Sequence, residues 1–354
     1  MEAPLQEPET FRKATAESIC VGVIGYGYWG PNLARNFAES ESFHLASICD
    51  RRPDRLRAAA KRYPGAEVTV DPDAILRAKD VDAVAIATPV SSHFELALRA
   101  LRSGKHVLVE KPLALTSEEG NRLVEEADRQ GRILMVDHTF VYSGAVRRIR
   151  ELVDSGVFGR IYYYDSVRIN LGLFQSDVNV LWDLAVHDLA IMDYVLGKEA
   201  RRLSALAVSH FENRPENIAY LTLAFDDDLI AHIHANWLAP VKHRRTVIGG
   251  SLKMAVYDDL EPSDKLKLYD RGVEMTGGET NIHEMLVSYR IGDMYCPKLD
   301  TTEALKIEVS HFAECIRTHA QPLTGGRAAL GVVRLLEAAS RSVKEGGRLV
   351  EVAS

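Results

Sequence analysis

Gly25-Tyr26-Gly27-Tyr28-Trp29-Gly30 stands directly after an apolar run, Ile19–Ile24, and directly before an amphipathic stretch that opens with Pro31. A chain turning sharply from strand to helix needs one glycine at the bend. It needs a second where backbone approaches a pyrophosphate, and a third where helix packs on strand. The helix that follows turns its free N–H groups toward the bend, which favours a bound anion. The segment reads as a dinucleotide-binding fingerprint, with Gly25, Tyr26, Gly27, Tyr28, Trp29 and Gly30 as candidate cofactor contacts. Asp50 ends the next apolar run, Leu45–Cys49, 25 positions beyond Gly25. A carboxylate there suits the ribose hydroxyls and selects NAD. Arg51 and Arg52 follow it, and a guanidinium at that point can pair with a 2′-phosphate, so NADP stays open as a second cofactor.

The same rhythm continues on both sides. Ala83–Ala87, His106–Val109 and Ile133–Val136 are further β-rich runs, with a weaker one near Val68, and amphipathic stretches separate them. Pro31 and Pro53 fall at first-turn helix positions. Thr116 with Glu119 reads as a capping box, and Gly104 and Gly131 as helix stops. Continuous apolar strands alternating with helices predict a parallel sheet covered on both faces, a Rossmann-type doubly wound domain. After Thr139 the pattern changes. A helix at Ala145–Val153, a long strand at Arg160–Ile169 and a helix at Leu181–Leu196 are followed by strands with no helix between them. These are Leu203–Ser209, Ala219–Phe225, Leu229–Trp237, Arg245–Ile248, Leu252–Tyr257 and Leu266–Tyr269, and helices at Ala304–Thr318 and Ala328–Lys344 close the chain. Such a succession predicts an α+β domain with an open, mostly antiparallel sheet, whose exposed face suits a subunit interface. Residues 270–298 carry no pattern and are assigned to a loop. The expected division is an arm at 1–17, an NAD-binding domain at 18–139, and a substrate-binding and oligomerisation domain at 140–354.

Length and composition agree with two domains: 354 residues, 46% hydrophobic and 26% charged. Net charge of −7 argues against a polyanion-binding surface, so no nucleic-acid partner is expected. No apolar run is long enough to span a bilayer, and the polar N-terminal arm lacks the apolar core of a secretory signal. Four scattered cysteines, Cys20, Cys49, Cys296 and Cys315, show no metal-binding spacing and fit a reducing cytoplasm.

Three further groups carry chemistry. Thr88-Pro89 ends the fourth strand, with His93 four residues beyond Pro89, and Glu110-Lys111-Pro112 ends the fifth. Ligands bind at the C-terminal strand ends of a doubly wound sheet, so both groups should face the cofactor. Asp183 and His187 are spaced i, i+4 and share a helix face, a plausible carboxylate–imidazole pair. In this order and at these positions, the glycine motif, the Glu-Lys-Pro triplet and the Asp-x-x-x-His helix resemble the glucose–fructose oxidoreductase/inositol dehydrogenase/rhizopine catabolism family. The likeness runs from Ser18 to the C-terminus. It implies that Lys111 lies between nicotinamide and the substrate hydroxyl, that His187 is the acid/base, and that Asp183 neighbours it near the substrate. It implies further that Glu110, Thr88, Pro89 and His93 stand on the cofactor side. Either Lys111 or His187 is left to take the hydroxyl proton.

His138, Arg168 and Asn170 are the candidate substrate contacts, with Leu171-Gly172-Leu173-Phe174-Gln175 following. Gly25–Phe37, Asn170–Asp188, Trp237–Asp259 and Tyr289–His311 resemble a subgroup that includes UDP-N-acetylglucosamine and UDP-N-acetylglucosaminuronate 3-dehydrogenases and 3-ketosugar reductases. A nucleotide-linked sugar is therefore the expected substrate, with inositol, a free sugar or an aminoglycoside-type glycoside as alternatives. Lys242, Arg244 and Arg245 are candidates to pair with a diphosphate or to form a solvated charge run. An NAD-dependent glycosidase and a non-catalytic dinucleotide-binding regulator are the rival functions, and intact Lys111, Asp183 and His187 argue against the regulator. His232 and His234 alternate along one strand face, but two histidines without a third ligand predict no metal site. The resemblance implies a homodimer or homotetramer.

Overall fold

The apolar runs around the glycine motif form six short parallel strands, largely buried except for the one at Glu67–Thr69, and each is joined to the next through a helix. In chain order they are β1 (Ile19–Ile24), α1 (Gly30–Glu39), β2 (Phe43–Cys49), α2 (Pro53–Arg62), β3 (Glu67–Thr69), α3 (Pro72–Arg77), β4 (Ala83–Ile86), α4 (His93–Arg102), β5 (His106–Glu110), α5 (Ser117–Gln130) and β6 (Leu134–Asp137). The sheet order is β3-β2-β1-β4-β5-β6, so the direction of winding reverses between β1 and β4. That reversal opens a crevice at the C-terminal strand ends, the usual ligand position in such sheets. The computed structural model describes residues 18–172, 175, 177–276 and 286–353. The expected arm at 1–17 lies outside the described residues, as do Leu173 and Phe174.

Local chemistry fixes the helix ends. Pro31 and Pro53 occupy the first turns of α1 and α2. Thr116 Oγ1 accepts from Glu119 N at 3.2 Å, and the Glu119 carboxylate accepts from Leu115 N at 3.3 Å. The reciprocal bonds satisfy two amides at the start of α5, and Gly131 ends that helix with φ 61°.

The rest of the chain continues through α6 (Gly144–Asp154), β7 (Ile161–Leu171), α7 (Val186–Leu196), β8 (Arg202–Val208), β9 (Ile218–Ala224), β10 (Ile230–Asn236), β11 (Leu238–Gly250), β12 (Met254–Asp258), β13 (Leu266–Thr276), β14 (Leu286–Tyr295), α8 (Ala304–Thr318), α9 (Gly326–Lys344) and β15 (Val350–Glu351). Its nine-stranded sheet runs β14-β13-β12-β11-β7-β10-β9-β8-β15. β7 and β10 are parallel, and the other neighbours are antiparallel. Alternation sets the faces. Leu203, Ala205, Leu221, Leu223, Ala231 and Ile233 are buried, whereas Leu206, Tyr220 and Ile230 are exposed. The region 270–298 is corrected: β13 and β14 pair there over most of their length. Tyr289 and Ile291 are 73% and 79% exposed, so no buried face imposed the alternation that marks a strand.

The chain divides into two compact units. One holds Met1–Asp137 with Leu305–Arg327, and the other His138–Ala304 with Ala328–Ser354. The single cut at Thr139 thus differs from the structure at the far end, where α8 returns to the first unit. The physical reason is apolar: Phe312, fully buried, stacks on Phe43 of β2 with ring centres 5.9 Å apart. Val136 N donates to Thr324 O at 2.9 Å, and a Cβ on Gly326 would press on Leu134 and Val124.

Candidate active site

The glycine motif behaves as its spacing requires. Gly25 has φ +99°, and a Cβ there would lie 2.5 Å from the Ala87 carbonyl oxygen at the end of β4. A Cβ on Gly30 would collide with the Gly25 carbonyl, so α1 can start against β1 only with glycine there. Around Gly27 the space is open, with Arg52 Nη2 the nearest atom at 3.7 Å. Two glycines are thus demanded by the protein's own packing, and the middle one leaves room for something else. The ring of Tyr28 is 85% exposed. No side chain among the described residues caps α1; Pro31 has no N–H and Asn32 N donates to Trp29 O at 2.8 Å, so the amide at the first position, Gly30, is the one left to face an anion.

Asp50 faces this loop from the end of β2. Its Oδ2 accepts from Tyr26 N at 2.8 Å and its Oδ1 from Arg52 N at 2.9 Å, with Arg52 Nε at 3.4 Å. Burial alone would raise its pKa. The two backbone N–H bonds and the Arg52 guanidinium prevail and hold it below the ordinary carboxylate range. The carboxylate stays charged and keeps lone pairs free for ribose hydroxyls. Arg51 and Arg52 are both exposed, and Arg52 is the one bonded to Asp50. These features fit an NAD molecule with its pyrophosphate over Gly27 and its adenosine ribose at Asp50.

Along the same edge, His93 is 1% exposed and joins two loops. Its Nδ1 lies 2.8 Å from Pro112 O and its Nε2 2.9 Å from Thr88 O. Both ring nitrogens are therefore turned onto carbonyls, and His93 positions the Thr88-Pro89 and Lys111-Pro112 segments. Ser92 Oγ donates to Thr88 Oγ1 at 2.8 Å and holds that hydroxyl. Glu110 ends β5 opposite Asp137 at the end of β6. Burial, then the Asp137 carboxylate, pushes the Glu110 carboxyl well above its usual range, against the pull of Lys111. Asp137 Oδ2 accepts from Trp29 Nε1 at 2.5 Å, tying the glycine loop to β6. Lys111 is half-buried immediately after Glu110.

In the second unit, Asp183 and His187 do not share one uninterrupted α-helix. Leu181–Ala185 is a π-helical turn, with Val186 N bonded to Leu181 O, and α7 begins after it. Such wide turns recur at functional sites because they re-aim a side chain within a helix. Asp183 Oδ2 accepts from Trp237 Nε1 at 3.1 Å. The His187 ring meets the Phe140 ring edge-on at 5.0 Å. The Arg168 and Arg244 guanidinium carbons lie 4.5 and 5.3 Å from the centre of that Phe140 ring. His138 is buried, and Asn170 is half-buried near the end of β7.

Arg168 is less available than its sequence position suggested. It is 4% exposed, and its Nε donates to Asp188 Oδ2 at 2.6 Å. Ser166 Oγ donates to Asp188 Oδ1, also at 2.6 Å. The guanidinium is thus committed to Asp188 and Phe140, behind the helix that carries His187. Lys242 and Arg245 are exposed, and Arg244 pairs with Asp259 at 3.2 Å. Asp137, Phe140 and Asp188 were not among the predicted residues. Asp188 had a usable signal, because an acid within the mostly apolar helix Val186–Leu196 needs a polar or cationic partner.

His232 and His234 belong to a stack on β10, with the Tyr220 and His234 ring centres 4.3 Å apart. No group of three or more metal-ligating side chains is assembled among the described residues. Nor is any helix among them long and apolar enough to cross a membrane.

Comparisons with known proteins agree with this geometry. A family profile described as "Oxidoreductase family, NAD-binding Rossmann fold" matches residues 19–138, and the GFO/IDH/MocA C-terminal domain profile matches 146–256. The chain is 34% identical, over 53% of its length, to a dTDP-3,4-didehydro-2,6-dideoxy-alpha-D-glucose 3-reductase of Streptomyces violaceoruber, and matches 57% of that protein. It is 30% identical, over 52% of its length, to a D-glucoside 3-dehydrogenase of Escherichia coli, matching 55% of it. The chain thus spans little more than half the length of these two relatives. With a UDP-N-acetylglucosamine 3-dehydrogenase of Acidithiobacillus ferrooxidans it shares 27% identity over 84% of this chain and 88% of that one. A solved structure of that name from the same organism superposes with a TM-score of 0.76 and 26% identity, covering 93% of this chain and 98% of the other.

Proposed function

The chain belongs to the GFO/IDH/MocA oxidoreductase family, and from that membership we propose that it oxidises or reforms the 3-hydroxyl of a nucleotide-activated sugar with NAD. The observation that carries the substrate class is the likeness to the UDP-N-acetylglucosamine 3-dehydrogenase over most of both chains. The glycine loop and Asp50 would hold NAD, which when bound would supply a two-electron hydride acceptor. The protein has to do the rest: hold the sugar carbon, manage the hydroxyl proton and exclude water. Lys111 donates a hydrogen bond to the reacting oxygen and stabilises its developing negative charge. His187, an imidazole able to act as a general base, accepts the hydroxyl proton while hydride leaves the carbon, giving a ketone. Asp183, bonded to the Trp237 indole, orients the sugar beside it. His138 and Asn170 contact further hydroxyls, and Arg168 acts through Asp188 on the placement of α7.

The deciding experiment measures NADH formation against UDP-N-acetylglucosamine, UDP-N-acetylglucosaminuronate, inositols and free aldoses. The nucleotide sugars should be oxidised at the highest kcat/KM. Turnover confined to unactivated polyols would overturn the substrate assignment, and sugar release without external NAD consumption would point to a glycosidase. Lys111→Met should lower kcat by about a hundredfold or more while leaving NADH binding within about threefold. Near-normal turnover would remove Lys111 from the chemistry. We propose further that a second copy of the chain covers the sheet face bearing Leu206, Tyr220 and Ile230, giving a homodimer or homotetramer. Sedimentation velocity checks this, and a monomer at micromolar concentration would refute it.

A further inference from the structure

The strand ends opposite the glycine loop carry a feature that the reaction just described does not use. A cavity of about 600 Å³ opens there, where β1, β4 and β5 begin. Leu76, Val81 and Ile316 give it an apolar wall. Arg77, Lys79, Lys105 and Arg132 also line it, with the Asp82 carboxylate, whose Oδ2 accepts from Cys20 N at 2.9 Å. Cations thus outnumber acids among the described residues that line it. All of these residues belong to the first unit.

His106 lines the same cavity and is 5% exposed. Burial above all holds its pKa down at about 4, so at neutral pH the ring has one N–H and one lone pair. Ile133 N donates to Nδ1 at 3.0 Å, which uses the lone pair and leaves the proton on Nε2. Nε2 in turn faces Arg132 Nη1 at 3.2 Å, and a guanidinium has no lone pair to offer. Two donors therefore confront each other. Arg132 Nε is likewise buried and has no protein acceptor among the described residues. Lys105, next to His106 in the chain and 6% exposed, gives two of its three N–H bonds to Ala78 O at 2.5 Å and Val81 O at 2.6 Å. Buried donors without acceptors are costly, and a single group accepting from Nε2, Nη1 and Nε removes the cost at all three.

We propose that this cavity is a second ligand site, at the opposite strand ends from the dinucleotide edge, which takes the oxyanion group of a small molecule, a phosphate or a carboxylate. The oxyanion accepts from His106 Nε2 and from Arg132 Nη1 and Nε, which turns the confrontation of donors into a shared grip on one acceptor. A neutral acceptor would leave the surplus of cations in the lining uncompensated, so the acceptor is an anion. The cavity is larger than an oxyanion alone requires. The remainder of the ligand is an apolar body lying against Leu76, Val81 and Ile316.

The test uses the full chain with isotope-labelled histidine and needs neither NAD nor turnover, so its outcome is independent of the proposed reaction. NMR reads the His106 ring, whose signals are identified by their loss in His106→Asn. At neutral pH the proton should reside on Nε2. Phenyl phosphate and benzoate are then titrated in chloride buffer. At least one should shift the Nε2–H signal saturably, with a Kd of about 1 mM or tighter, and the tighter of the two identifies the oxyanion. Arg132→Met should weaken that response at least tenfold. A proton on Nδ1 overturns the proposal, because Nε2 would then accept from Arg132. So does a His106 signal in the wild type that neither anion moves at about 10 mM, a result that requires no variant to fold. An undiminished affinity in folded Arg132→Met also overturns it.

Discussion

A methyl group added at Gly25 would meet the Ala87 carbonyl oxygen 2.5 Å away, on a backbone held at φ +99°. Gly25→Ala should therefore cost about 1–3 kcal/mol of stability and weaken NADH binding at least tenfold, because the loop must move away from β4 to admit the side chain. Calorimetry and a binding titration check the two effects. An affinity within twofold of wild type would show that the bend does not shape the cofactor site. At this scale the sequence was informative wherever chemistry is local. The glycines, Asp50 and the Thr116 cap are each set by residues a few positions away or by strand length. Asp137 was invisible because its meaning comes from Trp29, 108 positions earlier, and from a strand partner. The partner of Arg168 was hidden in the same way: only the folded chain brings Asp188, 20 positions on, against its guanidinium.

That Arg168–Asp188 contact joins strand β7 to helix α7, and both side chains are at most 5% exposed. Breaking one partner of a buried pair leaves the other charge without compensation. Arg168→Met should destabilise the protein by about 3–5 kcal/mol, and Arg168→Met with Asp188→Leu should recover much of that loss. Denaturant melts of the two variants and the parent test it, and equal losses in single and double variants would contradict a pairwise role. The elements themselves were legible to within a few residues where one face is buried and the other is not. The π turn at Leu181–Ala185 was not, since an i, i+4 pattern is the same whether a helix runs true or widens for one turn. β13 and β14 escaped for the opposite reason: the described side chains of β14, Tyr289–Tyr295, have no buried side to mark. Helix α8 was placed correctly along the chain, but its allegiance to the first unit depends on Phe43 and Phe312 meeting across a long sequence separation.

For the whole molecule, acid stability turns on a group remote from the proposed chemistry. His106 opens β5, is 5% exposed, and accepts from Ile133 N on Nδ1 at 3.0 Å. Burial above all, then the nearby Arg132 and His319, depress its pKa from 6.5 to about 4. The unfolded imidazole binds its proton more readily than the folded one. Its contribution is therefore complete above pH 6.5 and declines as pH falls from there through about 4. His106→Asn should flatten the acid limb of the stability curve by about 1–2 kcal/mol over that window and leave it unchanged at pH 8. Thermal melts from pH 8 to 4.5 check it; an undiminished acid limb in the variant would place the sensitivity elsewhere.

The return of residues 305–327 to the first unit also bears on how the protein is made. A ribosome finishes β6 long before it reaches α8, and about 170 residues added at about 5–20 per second take roughly 8–35 s. Throughout that interval the nascent six-stranded sheet must do without the helix whose Phe312 stacks on Phe43, leaving an aromatic surface open to chaperones and to neighbouring nascent chains. The unit that synthesis begins is thus completed only once residue 327 has been added.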